Sequence, residues 1–103
     1  MDSILCYIKC YGGYILAVGA GCTFGTSLLV QSNNAYDLGS TSARWRNLYV
    51  NDLQLSNEAK KDTGGNDVDG TWGSYTIQEG ENDLFLINRR SGKKYKFNLT
   101  EVL

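Results

Sequence analysis

Four groups of side chains in this sequence have types and spacings that could do chemistry. Asp62, Asp67 and Asp69 cluster with Asn66, and Glu79, Glu81 and Asp83 alternate a little further on. Cys6, Cys10 and Cys22 lie in the first quarter, and Arg89, Arg90, Lys93, Lys94 and Lys96 crowd one short stretch. The first acidic group suggests a cation site. A calcium loop needs alternating oxygen ligands, a glycine at the bend and a bidentate acid about five residues on. Asp67, Asp69 and Gly70 are followed by the aromatic-bearing segment of Trp72 and Tyr75, with no acid in the closing position. A solvated loop is therefore expected. Glu79, Glu81 and Asp83 could hold a divalent ion weakly; the simpler reading is a charged turn that protects a sheet edge.

Covalent catalysis has little footing. The sequence has no histidine, which removes the commonest general base and the commonest metal ligand together. A serine or cysteine nucleophile would have to rely on lysines in solvent-like settings. Cys6 and Cys10 are spaced to share a helix face, but a zinc site needs a fourth ligand. Asp2 precedes the apolar run and there is no positive leader, so an odd count of three cysteines reads as reduced, buried or idle thiols. Gly64-Gly65 and Gly19-Ala20-Gly21 do not match a phosphate-binding loop. No enzyme activity, cofactor or metal is expected.

The basic stretch has two readings. One is contact with an anionic surface, such as acidic sugars or a lipid headgroup layer, with Trp72, Tyr75, Arg89, Arg90 and Lys93 as the contact residues. The other is a solvated hairpin, partly balanced by Glu79, Glu81 and Asp83 across the sheet. A formal net charge of -1 argues against a nucleic-acid partner. Aromatics, including two tryptophans and seven tyrosines, could stack on sugar rings, but in so small a chain they are more often the core itself.

The elements that must position these groups are short. With 103 residues, 12 glycines and no proline, the chain suits turns and close backbone approaches in one small, mainly β domain or subunit. Four segments follow. Residues 1–35 are apolar and glycine-rich, with strands expected at 14–18 and 23–30, buried against copies of the same chain. The same run, 14–30, is long enough for a membrane-active segment, although glycines and threonines interrupt it and no basic cluster flanks it. Residues 36–55 place Tyr36 and Leu38 before a turn at Gly39-Ser40-Thr41-Ser42. Ser42 is expected to cap a helical turn over 43–47 with Trp45 facing inward, and 48–55 to form a strand interrupted at Asn51-Asp52. Residues 56–70 read as a polar surface loop or a loosely held connection. Residues 71–103 read as a β-meander: strands at 71–78, 83–88 and 94–99, a turn at 79–82, and a hairpin at 89–93 closed by Gly92 at positive φ.

The run NNAYDLGSTSARWRNLYVNDLQLSNEAK resembles a motif of bacteriophage tail fibres and related virion appendages, in which an asparagine turn, Tyr-Asp-Leu-Gly-Ser, an Arg-Trp pair and Leu-Tyr follow in this order. The segment from Gly65 to Val102 looks like the C-terminal end of fibre-like structural proteins of marine phages. Together these cover about residues 33–103. The resemblance implies an elongated, intertwined β homotrimer within the virion, assembled in the host cytoplasm, whose partners are its own copies, other virion proteins and a host-surface glycan. Tyr36, Leu38, Trp45, Leu48 and Tyr49 would then line the trimer interface. Fibres of this kind are usually longer and many end in a self-cleaving chaperone domain, which nothing here resembles. A short appendage or tip, or one part of a longer fibre, is expected. The alternatives are a capsid- or tail-surface decoration protein that stabilises the particle, and a small membrane-active protein.

Overall fold

The computed structural model describes residues 23–103 of the chain. Cys6, Cys10, Cys22 and the strand expected at 14–18 lie outside the described residues. The chain divides into two units, Met1–Ser32 and Asn33–Leu103. In the described part of the first, 23–30 is not a strand: it has no regular secondary structure, and Phe24, Leu28, Leu29 and Val30 are exposed. A strand requires a neighbour to take up its backbone hydrogen bonds, and no described segment pairs with this run. Among the described residues no helix is long and apolar enough to cross a membrane.

The second unit is mainly β. Four antiparallel strands, β1 (Leu53–Ser56), β2 (Ser74–Glu79), β3 (Leu84–Asn88) and β4 (Lys94–Lys96), form one sheet in sequence order. The meander matches its alternating apolar pattern. At the β2–β3 turn the Gly80 N–H donates to the Asp83 carbonyl at 2.8 Å. At the β3–β4 turn Gly92 takes φ +79° and its N–H reaches the Asn88 carbonyl at 2.7 Å. The last strand is shorter than the expected 94–99. Phe97 N–H still bonds the Leu84 carbonyl at 3.0 Å, but β3 starts at Leu84, so nothing remains for residues 98–103 to pair with.

The same end effect shortens β1. Leu53 pairs with Ile77, which sets Asp52 beside Gln78, whose amide donates to it at 3.2 Å, and Asn51 opposite Glu79, so the chain before Asn51 runs past the end of β2. Leu48 to Val50 are therefore not strand. Nor do residues 43–47 form a helical turn. Ser40, not Ser42, organises this corner: its N–H donates to the Ala43 carbonyl at 3.0 Å, and its hydroxyl accepts from the Ala43 N–H at 3.1 Å. This reciprocal pairing closes a loop and leaves no carbonyl series for a helix to follow. Trp45 lies beside Gly39, which takes φ +85°, and the indole is 68% exposed instead of inward-facing.

Register assigns the side chains of the sheet to two faces. One carries Leu53, Ile77, Leu86 and Tyr95 in one cross-strand row and Leu55, Tyr75 and Asn88 in the next. The opposite face carries the row Gln54, Thr76, Ile87, Lys94 and, beside it, Gln78, Phe85 and Lys96. Thr76 (0% exposed) and Ile87 (8%) sit at the centre of that second face, and Ile87 is the one buried hydrophobic residue among those described. Two glycines make room for aromatic rings. A Cβ on Gly73 would lie 2.9 Å from the Tyr75 ring, and one on Gly80 would lie 2.7 Å from the Phe85 ring.

The β1–β2 connection is not slack. Asn57 and Gly73 extend the ladder reciprocally, through Asn57 N–H to the Gly73 carbonyl (3.3 Å) and Gly73 N–H to Asn57 Oδ1 (2.8 Å). A 3-10 turn, Glu58–Lys60, follows, and Gly65 N–H returns to the Lys60 carbonyl at 2.9 Å. Gly65 is buried at φ +64°, where a Cβ would meet the Gly70 and Thr71 carbonyls. Gly64, at φ +110°, faces open space. Gly65→Ala should accordingly lower stability by about 2–4 kcal/mol in urea unfolding, and Gly64→Ala by about 1 kcal/mol from backbone strain alone. Equal midpoints for the two variants would show that the loop is not closed at Gly65.

Candidate functional site

The expected surface-contact residues do not form one cluster. Trp72 and Tyr75 line an open groove of about 510 Å³ with Leu55, Asn57, Asn66 and Asp69. Arg90 joins this end of the sheet: its guanidinium carbon stands 3.7 Å from the Trp72 ring centroid, and Nη1 donates to the Trp72 carbonyl at 2.8 Å. A guanidinium over an indole face is an attractive cation–π arrangement, so Arg90 fastens the β3–β4 turn to the segment entering β2. Arg89 goes to the other face. Its Nε donates at 3.0 Å to the hydroxyl of Thr76, which itself donates at 2.7 Å to Gln54 Oε1. The buried hydroxyl is thereby satisfied on both sides. Lys93 is exposed in the turn.

The basic stretch is a hairpin whose five cations, Arg89, Arg90, Lys93, Lys94 and Lys96, are all exposed, as in the solvated reading, and its two arginines also make intramolecular bonds. Nor do Glu79, Glu81 and Asp83 balance Arg89, Arg90 and Lys93. The acids lie at or beside the β2–β3 turn and these three cations at the β3–β4 turn, separated by the five residues of β3, about 16 Å of extended chain. Among the described residues the one ion pair joins Lys61 and Glu58 at 3.7 Å.

The acidic cluster organises a turn. Asn66 Nδ2 donates to Asp69 Oδ1 and to the Thr71 carbonyl, both at 2.8 Å, and Asn66 Oδ1 accepts the N–H groups of Val68 and Asp69 at 2.8 and 2.9 Å. Asp69 Oδ1 also accepts from the Thr71 hydroxyl at 2.8 Å and the Thr71 N–H at 3.1 Å. One carboxylate oxygen therefore takes three donors. Asp62 and Asp67 do not share these contacts, and no group of three potential metal ligands is gathered among the described residues. Asn57 and Asn66 hold this groove together, and the sequence reading gave neither that role. The available signal was an asparagine three residues before Asp69-Gly70-Thr71, a side chain able to imitate backbone within a turn.

The expected interface residues Tyr36, Leu38, Trp45, Leu48 and Tyr49 are all exposed on this chain. Their one side-chain hydrogen bond is from Asn47 Nδ2 to the Tyr49 hydroxyl at 3.4 Å. No protein-family model, curated protein or solved structure matches the chain.

The Asp69 turn has a pH signature. Hydrogen bonds from the Thr71 hydroxyl, then from the Asn66 amide and the Thr71 N–H, hold its carboxyl below the ordinary value of 3.8. A folded pKa below the unfolded one stabilises the folded turn fully above 3.8, and this contribution is lost as pH falls through the lower, folded value. Hydrogen exchange at Val68, Asp69 and Thr71 should thus be unchanged from neutrality down to about pH 4.5, once the intrinsic pH dependence is removed. It should accelerate only in stronger acid. Loosening near pH 6 would contradict the assigned bonds.

Proposed function

We propose that this chain is a non-enzymatic structural protein of a bacteriophage virion, a trimeric tail-fibre-like or tip module that contacts the host surface. The observation that carries the reading is the small core. Ile87 is the one buried hydrophobic residue among those described, while Tyr36, Leu38, Trp45, Leu48 and Tyr49 stand exposed. A sheet with an apolar face reaches stability by covering that face with another layer. Burying the five exposed side chains between copies would contribute on the order of 5–10 kcal/mol per chain before the entropy cost of association. The stretch from Tyr36 to Tyr49 is also the one whose motif resembles tail fibres, so resemblance and exposure point to the same residues.

In this reading the chain supplies shape and adhesion. Trp45 and its neighbours hold copies together, and the sheet with its Arg90–Trp72 end is displayed outward on the particle. Two experiments test it. Mass spectrometry of purified particles should find the chain at the copy number of a few tail positions. Full coverage of the capsid would instead favour a decoration protein, and absence from the particle would refute virion residence. Trp45→Ala should dissociate or aggregate the assembled protein, with a loss of about 3 kcal/mol per chain. An intact, equally stable assembly would remove Trp45 from the interface.

A further inference from the structure

We propose that the hollow on the face of the sheet bearing Thr76 and Ile87 binds an anionic amphiphile, a single molecule whose apolar body ends in a carboxylate or phosphate. The site is distinct from the Trp72 groove. One chain supplies all of its residues, so the proposal does not rest on the number of copies in the assembly.

The register builds the hollow. Phe85 and Ile87 lie two residues apart on β3 and share this face, and each has a lysine directly opposite it on β4. Lys96 stands beside Phe85 and Lys94 beside Ile87, while Gln78 on β2 flanks Phe85 from the other side. Together they border an open hollow of about 390 Å³ with a mostly apolar lining. Small-molecule sites run from roughly 300 to 1,000 Å³ and combine an apolar lining with a few placed polar groups. Phe85 and Ile87 are thus the floor for an aliphatic or aromatic body.

Charge selects the head group. Lys94 and Lys96 are exposed on the edge strand with backbones about 7 Å apart, so one anionic group can lie between their ammonium ends. Arg89 approaches the same row from the β2 side. Its Nε is fixed on the Thr76 hydroxyl at 3.0 Å, and its two terminal nitrogens have no hydrogen bond among the described residues. The one acid beside this face is Asp52, which accepts from Gln78 at the β1 edge. It lies three strand spacings from Lys96, about 14 Å. Neither lysine has an ion-pair partner among the described residues.

This combination chooses among occupants. Three cations repel a cationic ligand and give a neutral one no charge-assisted bond. A second copy of the same face would bring lysines against lysines. An anionic bilayer would satisfy the lysines by charge alone and leave the hollow unfilled. An apolar body with one anionic end satisfies both the floor and the rim.

The test titrates the isotope-labelled full chain with decanoate, below its micelle concentration, and follows the backbone amide spectrum. Saturable shifts should centre on Phe85, Ile87 and the residues from Lys94 to Lys96. Lys94→Gln with Lys96→Gln should weaken binding about tenfold, because charge-assisted bonds to the head group are lost. Lys60→Gln with Lys61→Gln removes the same charge from the β1–β2 connection and should leave binding unchanged. Acetate has the head without the body, and decyltrimethylammonium the body without the head; each should bind about tenfold more weakly or worse. A match to decanoate by either probe, equal losses from the two double variants, or no saturable shift at the hollow would overturn the proposal. Binding to vesicles containing phosphatidylglycerol with none to decanoate would also overturn it, and would assign the lysines to a membrane surface instead.

Discussion

The constraint on which this structure depends is that a lone four-stranded sheet has two faces and only its own side chains to cover them. On one face the centre is closed internally, although an open hollow of about 390 Å³ remains beside it, lined by Phe85, Ile87 and Lys94. Gln54, Thr76 and Arg89 form a short chain of hydrogen bonds across the centre, and Ile87 lies in the same row. On the other, leucine, isoleucine and tyrosine alternate into a surface for which the described residues supply no second layer. A chain of this size that left such a surface in water would forgo much of the apolar burial that offsets its conformational entropy. The exposed stretch carrying Trp45 raises the same problem a second time. In the proposed assembly, association of copies would answer both at once.

Rigidity of the connections comes from three asparagines more than from packing. Asn57 accepts the Gly73 N–H and squares off the end of the β1–β2 ladder. Asn66 bonds on both its amide atoms and pins the loop to Asp69 and Thr71. Asn88 accepts the N–H groups of Arg90 and Ser91 at 3.0 and 3.2 Å and shapes the β3–β4 turn. Each side chain replaces a backbone partner that a turn cannot provide, which lets a sheet with little core keep ordered loops. Arg90 over Trp72 then ties the β3–β4 turn to the lead-in of β2.

How much of this was readable in the sequence depended on whether the signal was local. The meander announced itself through the alternation of Tyr75 with Ile77 and Tyr95 with Phe97, and Gly92 marked its turn correctly, because period-two burial and positive φ are properties of neighbouring residues. Strand lengths were not local. The reach of β1 and β4 is limited by where β2 and β3 stop, so Leu48 to Val50 and residues 98–99 had no ladder to join. The helical turn at 43–47 failed for a related reason, since Ser40 competes with Ser42 and closes the corner earlier. At the candidate site, the acidic residues were conspicuous while the asparagine that organises them was not. The destinations of Arg89 and Arg90, on opposite sides of one turn, could be told only from the register.

The central claim is that this chain completes its fold by meeting copies of itself. The most direct test is the solution mass of the full chain, by light scattering coupled to size exclusion, without detergent. The account predicts three times the chain mass of 11.4 kDa, held on dilution. A compact, soluble, single-chain mass would contradict it, because the apolar face and the Trp45 stretch would then have to be covered from within.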